Sequence, residues 1–187
     1  ETITVAITDD NLVEGTETFS VLLSGAMGAS IADATGVGTI IDNDEAVLSI
    51  NDVSVNEGDG TATFIVSLST PSDSDVTVEY ATQNDSAVAG SDYTANNGTL
   101  TFIAGDTEET ITVAITDDNL VEGTESFNVL LSGAMGASIA DDTGEGTIID
   151  NDTAQLSIND VSVNEGDGTA TFTVSLSTPS DSDVTVE

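Results

Sequence analysis

The sequence sets 35 Asp and Glu against no Lys, no Arg and no His. No carboxylate can therefore meet a side-chain cation of its own chain. Every acid must face water or a bound cation, because a buried, unpaired carboxylate pays its full desolvation cost or gives up its charge. The same deficit excludes whole classes of function. Nothing in the chain can neutralise phosphates, so nucleic-acid binding is not expected. A polybasic contact with an anionic membrane is excluded too. Without Cys or His there are no disulfides, no thiol chemistry, no zinc finger and no His-assisted nucleophile. Yet 38% of the residues are hydrophobic. That is enough for a packed core, unlike a disordered acidic tail.

The chain also repeats itself. Residues 1–79 return as 109–187, with 72 of 79 positions identical at an offset of 108. The seven differences are Thr18/Ser126, Ser20/Asn128, Ala34/Asp142, Val37/Glu145, Glu45/Thr153, Val47/Gln155 and Ile65/Thr173. A period of 108 residues suits a whole domain rather than a solenoid turn. Acidic knots between apolar runs, IIDNDEAVLSIND and IIDNDTAQLSIND, place domain starts at Ala46 and Ala154. Residues 1–45 then read as the second part of one domain, 46–153 as a complete one and 154–187 as the start of a third. Both ends fall in strand-like text and the first residue is not Met, so the chain reads as a window on a longer array. Almost no linker separates the units, which favours a stiff rod.

Each unit reads as all-β. Period-2 alternation runs through TATFIVSLS, DVTVEYAT, GTLTF, ETITVAIT, ESFNVLLS and GEGTII, with Gly, Asn, Asp and Ser between. With AVLSI at 46–50 this gives about seven short strands, as in an immunoglobulin-like antiparallel β-sandwich. The inward set is Leu48, Ile50, Phe64, Val66, Leu68, Val76, Val78, Leu100, Phe102, Ile111, Val113, Ile115, Phe127, Val129 and Leu131. Asn97-Gly98 suggests a tight hairpin turn. Aromatic residues are few, so stability without ligand should be modest.

The acids divide into two groups. Asp73, Asp75, Asp106, Glu108, Asp141 and Asp142 sit on strand faces or in ordinary turns and read as solvated surface. The others gather where strands end: Glu57, Asp92, Asp117, Asp118, Glu122, Glu125, Asp150 and Asp152. Alternate strands of an antiparallel sandwich end at one pole, so these eight can meet there. Hard oxygen donors at that density suit Ca²⁺, which takes six to eight oxygens in flexible geometry. Neither the twelve-residue EF-hand spacing nor the GGxGxD nonapeptide is present. A glycosidase pair such as Asp117 with Glu122 fits poorly. The pair recurs at the 108-residue offset as Asp9 and Glu14, and only Tyr80 and Tyr93 could serve as sugar platforms.

Four motifs in order, SVNEGDGTATF, GSDYTANNGTLTF, ITDDNLVEGTESF and GTIIDND, resemble the Calx-β domain. This is the calcium-binding module of sodium/calcium exchangers, and it also occurs in tandem in large bacterial surface proteins. The resemblance covers 46–152 and parts of both flanks. It implies a seven-stranded immunoglobulin-like sandwich with a calcium cluster at one end. Carried over by motif, the implied ligands are Glu57, Asp92, Asp117, Asp118, the Leu120 carbonyl, Glu122, Glu125, Asp150 and Asp152. The flanks carry the corresponding Asp9, Asp10, Leu12, Glu14, Glu17, Asp42 and Asp44, and Glu165. The terminal acidic triplet, often DDD, reads DND here, with Asn151 in the middle. Because Asp42 and Asp44 lie at the junction, the next domain's Asn51-Asp52 or nearby backbone is expected to help close that site.

The expected function is a calcium-binding structural repeat of a long extracellular surface protein, an adhesin stalk or fibre, with no enzymatic activity. Ca²⁺ would stabilise the domain poles and stiffen the junctions. The expected partners are neighbouring repeats of the chain or fibre, with assembly into filaments as an extension. Two alternatives belong to other classes: a calcium sensor that signals to another domain, and a passive acidic shell suited to a salty habitat.

Overall fold

The computed structural model describes residues 1–187. The first part of the chain holds β1 (Glu17–Leu22) and β2 (Thr35–Ile40). The middle holds β3 (Val47–Ile50), β4 (Val53–Asn56), β5 (Thr61–Leu68), β6 (Val76–Asn84), β7 (Asn97–Phe102), β8 (Glu108–Ala114), β9 (Glu125–Met135), β10 (Ser138–Ile139) and β11 (Thr143–Ile149). The last part holds β12 (Leu156–Ile158) and β13 (Val174–Leu176). Single 3-10 turns occupy Glu57–Asp59 and Glu165–Asp167.

The middle unit is a sandwich of two sheets, β10-β3-β5-β8 and β4-β11-β9-β6-β7. Alternation in sequence becomes alternation in burial. Ala62, Phe64, Val66 and Leu68 of β5 are buried, while Thr61, Thr63 and Ile65 are exposed. The same holds for Ile111 and Val113 of β8 and for Phe127, Val129 and Leu131 of β9. Phe127 sits at the centre. Its ring stacks on Tyr93 at 4.4 Å and meets Phe64 edge-on at 5.9 Å. The ring lies directly over Gly146 on the neighbouring strand, where an added Cβ would stand 2.5 Å from Phe127 Cζ.

Several sequence expectations need correction. The expected all-β sandwich is present, with its roughly seven strands divided into nine segments. The first apolar run divides between the two sheets, as β3 and β4, and β10 is a short extra rung. The sandwich is also not wholly antiparallel, because β3 pairs β10 and β4 pairs β11 in parallel. Asn51 and Asp52 make the change of sheet. Asn51 Oδ1 accepts from the Ile65 amide at 2.6 Å, and Asp52 Oδ1 accepts from the Glu145 amide at 2.8 Å. These two residues are therefore committed inside the unit and do not reach the junction. Asn97-Gly98 is not a turn but the start of β7, with Gly98 opposite Tyr80. A Cβ at Gly98 would lie 2.9 Å from the Tyr80 hydroxyl, so the ring covers the glycine. Leu100 is only half-buried, while Tyr93, Ala62, Ala87 and Ile148 join the core. Met27 and Met135 are exposed.

The register β5 to β8 fixes the polarity of the unit. Thr61 opposes Ala114 at one pole, and Ser67 opposes Glu108 at the other. The first pole carries the acids. The second carries the Pro71-Ser72-Asp73 loop between β5 and β6. At the junction with the preceding part of the chain, the Val13 amide donates to Pro71 O at 2.9 Å, and the Asp73 amide donates to Val13 O at 2.9 Å. The junction with the last part repeats this 108 residues on. The Val121 amide donates to Pro179 O at 3.0 Å and the Asp181 amide to Val121 O at 3.1 Å. The flanking parts have no opposing sheet over their apolar faces. Phe172 is 55% exposed where its counterpart Phe64 is 0%.

Candidate metal centre

Four chain segments reach the acidic pole. Glu57 follows β4, Asp92 lies between β6 and β7, Asp117 to Glu125 connect β8 to β9, and Asp150 and Asp152 follow β11. Backbone bonds bring the segments together. The Thr116 amide donates to Asp92 O at 2.9 Å, and the Ile115 amide to Gly60 O at 3.0 Å.

The carboxylates are then held by amides. Glu57 Oε1 accepts from the Asp118 amide at 2.9 Å. Asp118 Oδ1 accepts from the Leu120 amide at 2.6 Å. Asp150 is held twice, by the Glu122 amide at 3.0 Å and the Asp152 amide at 3.0 Å. Asp92 Oδ2 accepts from the Val88 amide at 2.6 Å. These bonds fix the carboxylate positions from within the chain itself.

Three trios result: Glu57 with Asp118 and Glu122, Glu57 with Asp150 and Asp152, and Asp92 with Glu122 and Glu125. In each, one carboxylate oxygen per residue lies within 4.8 Å of the other two. Seven of the eight expected acids thus stand in a trio. The eighth, Asp117, accepts instead from the Asn151 side-chain amide at 3.0 Å. Leu120 enters the geometry through its amide.

The electrostatics show a site short of positive charge. Burial, then repulsion from Asp118, Asp117 and Asp150, pushes Glu57 above the usual carboxylate range. Burial, then Asp92, does the same to Glu122. Burial and the neighbouring Asp92 raise Glu125 to about 7. Asp152 is raised by burial and then by Asp150. Glu57 is only 4% exposed. Asp152 Oδ2 is shut off from solvent and has no hydrogen-bond partner. A carboxylate oxygen that lacks both water and a donor must either gain positive charge beside it or take up a proton. A donor set made wholly of oxygen fits a hard divalent cation.

The first part of the chain rebuilds the same frame. Leu12 donates to Asp10, Glu14 to Asp42 and Asp44 to Asp42, at 2.9, 2.9 and 3.2 Å. Asp9, Asp10, Glu14, Glu17, Asp42 and Asp44 line one concavity there. The Glu14 amide holds Asp42 below its usual value, while burial raises Glu14 and Asp44. Glu165 is exposed and sits in the 3-10 turn matching that of Glu57. Sequence reasoning did not foresee the tie from Asn151 to Asp117. Nor did it see that Asp73, taken as plain surface, lies at a junction; its signal was the recurrence of PSDSD at 71–75 and 179–183.

The family model described as "Calx-beta domain" matches residues 1–52, 41–152 and 148–187. Sodium/calcium exchanger 1 of Canis lupus familiaris is 41% identical over 69 residues, 37% of this chain and 7% of the exchanger. Extracellular matrix protein 3 of Lytechinus variegatus is 34% identical over 149 residues, 71% of this chain and 5% of that protein. The crystal structure of the calcium binding domain CBD12 of CALX1.1 superposes with a TM-score of 0.53 at 26% identity. That superposition covers 56% of this chain and 44% of the other. The chain thus spans less than a tenth of the exchanger and the matrix protein that it matches.

Proposed function

The chain belongs to the Calx-beta domain family, and on that premise we propose that it is a calcium-binding structural repeat of a long extracellular protein. The observation that carries the reading is the pole itself. Three carboxylate trios converge there, with a buried Glu57 and a donorless Asp152 oxygen, in a chain that has no side-chain cation. Glu57, Asp92, Asp118, Glu122, Glu125, Asp150 and Asp152 would hold Ca²⁺, with Asp117 at the rim. The ion would supply the missing positive charge. The chain's own part is to present oxygens on amide-fixed loops, which lowers the ordering cost of binding.

The extracellular stalk is supported by the near-identity of the repeats, by their linker-free junctions and by the likeness to a protein named for the extracellular matrix. Near-identical copies suit a spacer whose task is reach. The domain bounds 46–153 and the stacking of repeats into rods or filaments belong to the same proposal.

Calorimetric melting of the chain in EDTA, in millimolar Ca²⁺ and in Mg²⁺ of equal ionic strength tests it. A rise in melting temperature specific to Ca²⁺ is expected. Equal responses to both cations would return the acids to generic surface charge.

The likeness to sodium/calcium exchanger 1 favours a second reading, a regulatory calcium module. That reading expects micromolar affinity and a large calcium-driven change in inter-domain angle. The stalk expects weaker sites and a fixed angle, so scattering profiles across a calcium titration separate the two.

A further inference from the structure

The five residues from Asp118 to Glu122 serve two structures at once. Asp118, Leu120 and Glu122 belong to the acidic pole. Asn119 and Val121, between them, belong to the junction. Val121 exchanges amide bonds with Pro179 and Asp181 of the next repeat. The Ser180 hydroxyl donates to Val121 O at 3.3 Å, and the Thr178 hydroxyl donates to Asn119 O. The next repeat is therefore seated on the outer edge of the metal loop. The amide of its Asp181 is bonded to the carbonyl directly before Glu122.

We propose that Asp181, and Asp73 at the preceding junction, are cation-site residues supplied in trans: each acidic pole takes one carboxylate from the repeat that follows it. The inference rests on the calcium reading above and names a residue whose backbone is bonded beside the site but which lies outside the domain holding it.

The backbone pairing is the same at both junctions, while the Thr178 and Ser180 hydroxyl bonds occur only at the second. The Asp73 amide is bonded to Val13 O, next to Glu14, as the Asp181 amide is bonded to Val121 O, next to Glu122. In both acids Oδ1 accepts from the following serine hydroxyl, Ser74 at 2.8 Å and Ser182 at 2.9 Å. Oδ2 in each makes no hydrogen bond within the chain. None of the seven positions that differ between repeats falls in this clasp or among the pole acids.

Placing a further carboxylate beside the crowded pole has opposite consequences with and without the ion. Bound Ca²⁺ attracts it and tightens the junction. Without the ion, repulsion from Glu122 and Glu125 opposes the two amide bonds and loosens it. A purely structural residue would not reverse sign in this way.

The test uses the full chain. Tb³⁺ is bound at the pole of the middle unit and read through Tyr93, the neighbour of Asp92; Ca²⁺ then displaces it. Exchange of the Val121 and Asp181 amides with deuterium reports the junction. Asp181→Asn is expected to weaken Ca²⁺ about five-fold, the size of one partly screened interaction with a divalent ion. In EDTA the same variant is expected to slow exchange at Val121. Asp183→Asn, with the same loss of charge two residues on, is expected to change neither. Equal effects of the two variants, or no effect of Asp181→Asn, would overturn the proposal. Asp150→Asn separates the layers of the argument. If the parent binds Ca²⁺ and Asp150→Asn does not, the calcium reading stands whatever Asp181→Asn does. If the parent binds no Ca²⁺, both readings fall.

Discussion

The Asn151 side chain donates to Asp117 Oδ1 at 3.0 Å, so one oxygen of this pole carboxylate is occupied by a side-chain amide. The amide nitrogen also packs against the Gly58 backbone, where an added Cβ would lie 2.7 Å away. Asn151→Asp replaces a donor with a charge beside Asp117. Without metal it is expected to cost about 1 kcal/mol, the worth of the lost bond, with added like-charge repulsion. With Ca²⁺ it is expected to raise the number of ions bound. Titration calorimetry reads that number; an unchanged stoichiometry would show that Asn151 does not limit the site.

Glu57 stands in two of the three trios and is almost fully buried. Glu57→Gln keeps an oxygen for the Asp118 amide and removes the charge. Melting temperature is expected to rise in EDTA and to fall in saturating Ca²⁺, with affinity reduced about ten-fold or more, as for the loss of one charged ligand. Movement in the same direction under both conditions would place Glu57 outside the ion's coordination.

Glu125 is raised from an ordinary 4.5 to about 7. Between those values the folded state binds more protons than the unfolded state, so stability must fall as pH rises through the window. In EDTA the denaturant midpoint is expected to decline from about pH 4.5 to about pH 7 and then level off. Saturating Ca²⁺ keeps Glu125 ionised and removes that decline. Glu125→Gln should flatten the EDTA profile, and a decline that survives it would point to another group.

Phe127 rests on Gly146, with Phe64 and Tyr93 packed around it. A methyl group at Gly146 has no space unless the ring moves. Gly146→Ala is expected to destabilise by about 2 kcal/mol, in the range for overpacked cores. Chemical denaturation measures this, and a change below about 0.5 kcal/mol, the size of ordinary surface substitutions, would show that the core yields easily.

The fold was legible wherever one face of a strand is wet and the other dry. In β5, β8 and β9 the period of two marks Phe64, Ile111 and Phe127 as inward without any knowledge of pairing. Sequence reasoning failed where one short segment serves two sheets. Nothing local in AVLSINDVSVN says that Asn51 and Asp52 carry the chain across, because their partners, Ile65 and Glu145, are distant. Asn97-Gly98 misled because a glycine chosen for space beneath Tyr80 looks like a glycine chosen for a turn. The candidate acids were legible because nothing in the chain could pair with them. The division of labour among them, with Asp117 tied to Asn151 and Asp73 facing a neighbour, depends on contacts between segments far apart in sequence.

The clasp has one half at each end of a repeat: the Val121 edge beside the acids, and the Pro71-Ser72-Asp73 loop at the opposite pole. The middle unit thus carries both halves, its Val121 edge meeting the part that follows and its Pro71-Ser72-Asp73 loop the part that precedes. Gene duplication can lengthen or shorten the array by whole increments of 108 residues without inventing a new contact surface. On the proposed stalk role, reach becomes a quantity that recombination alone can adjust.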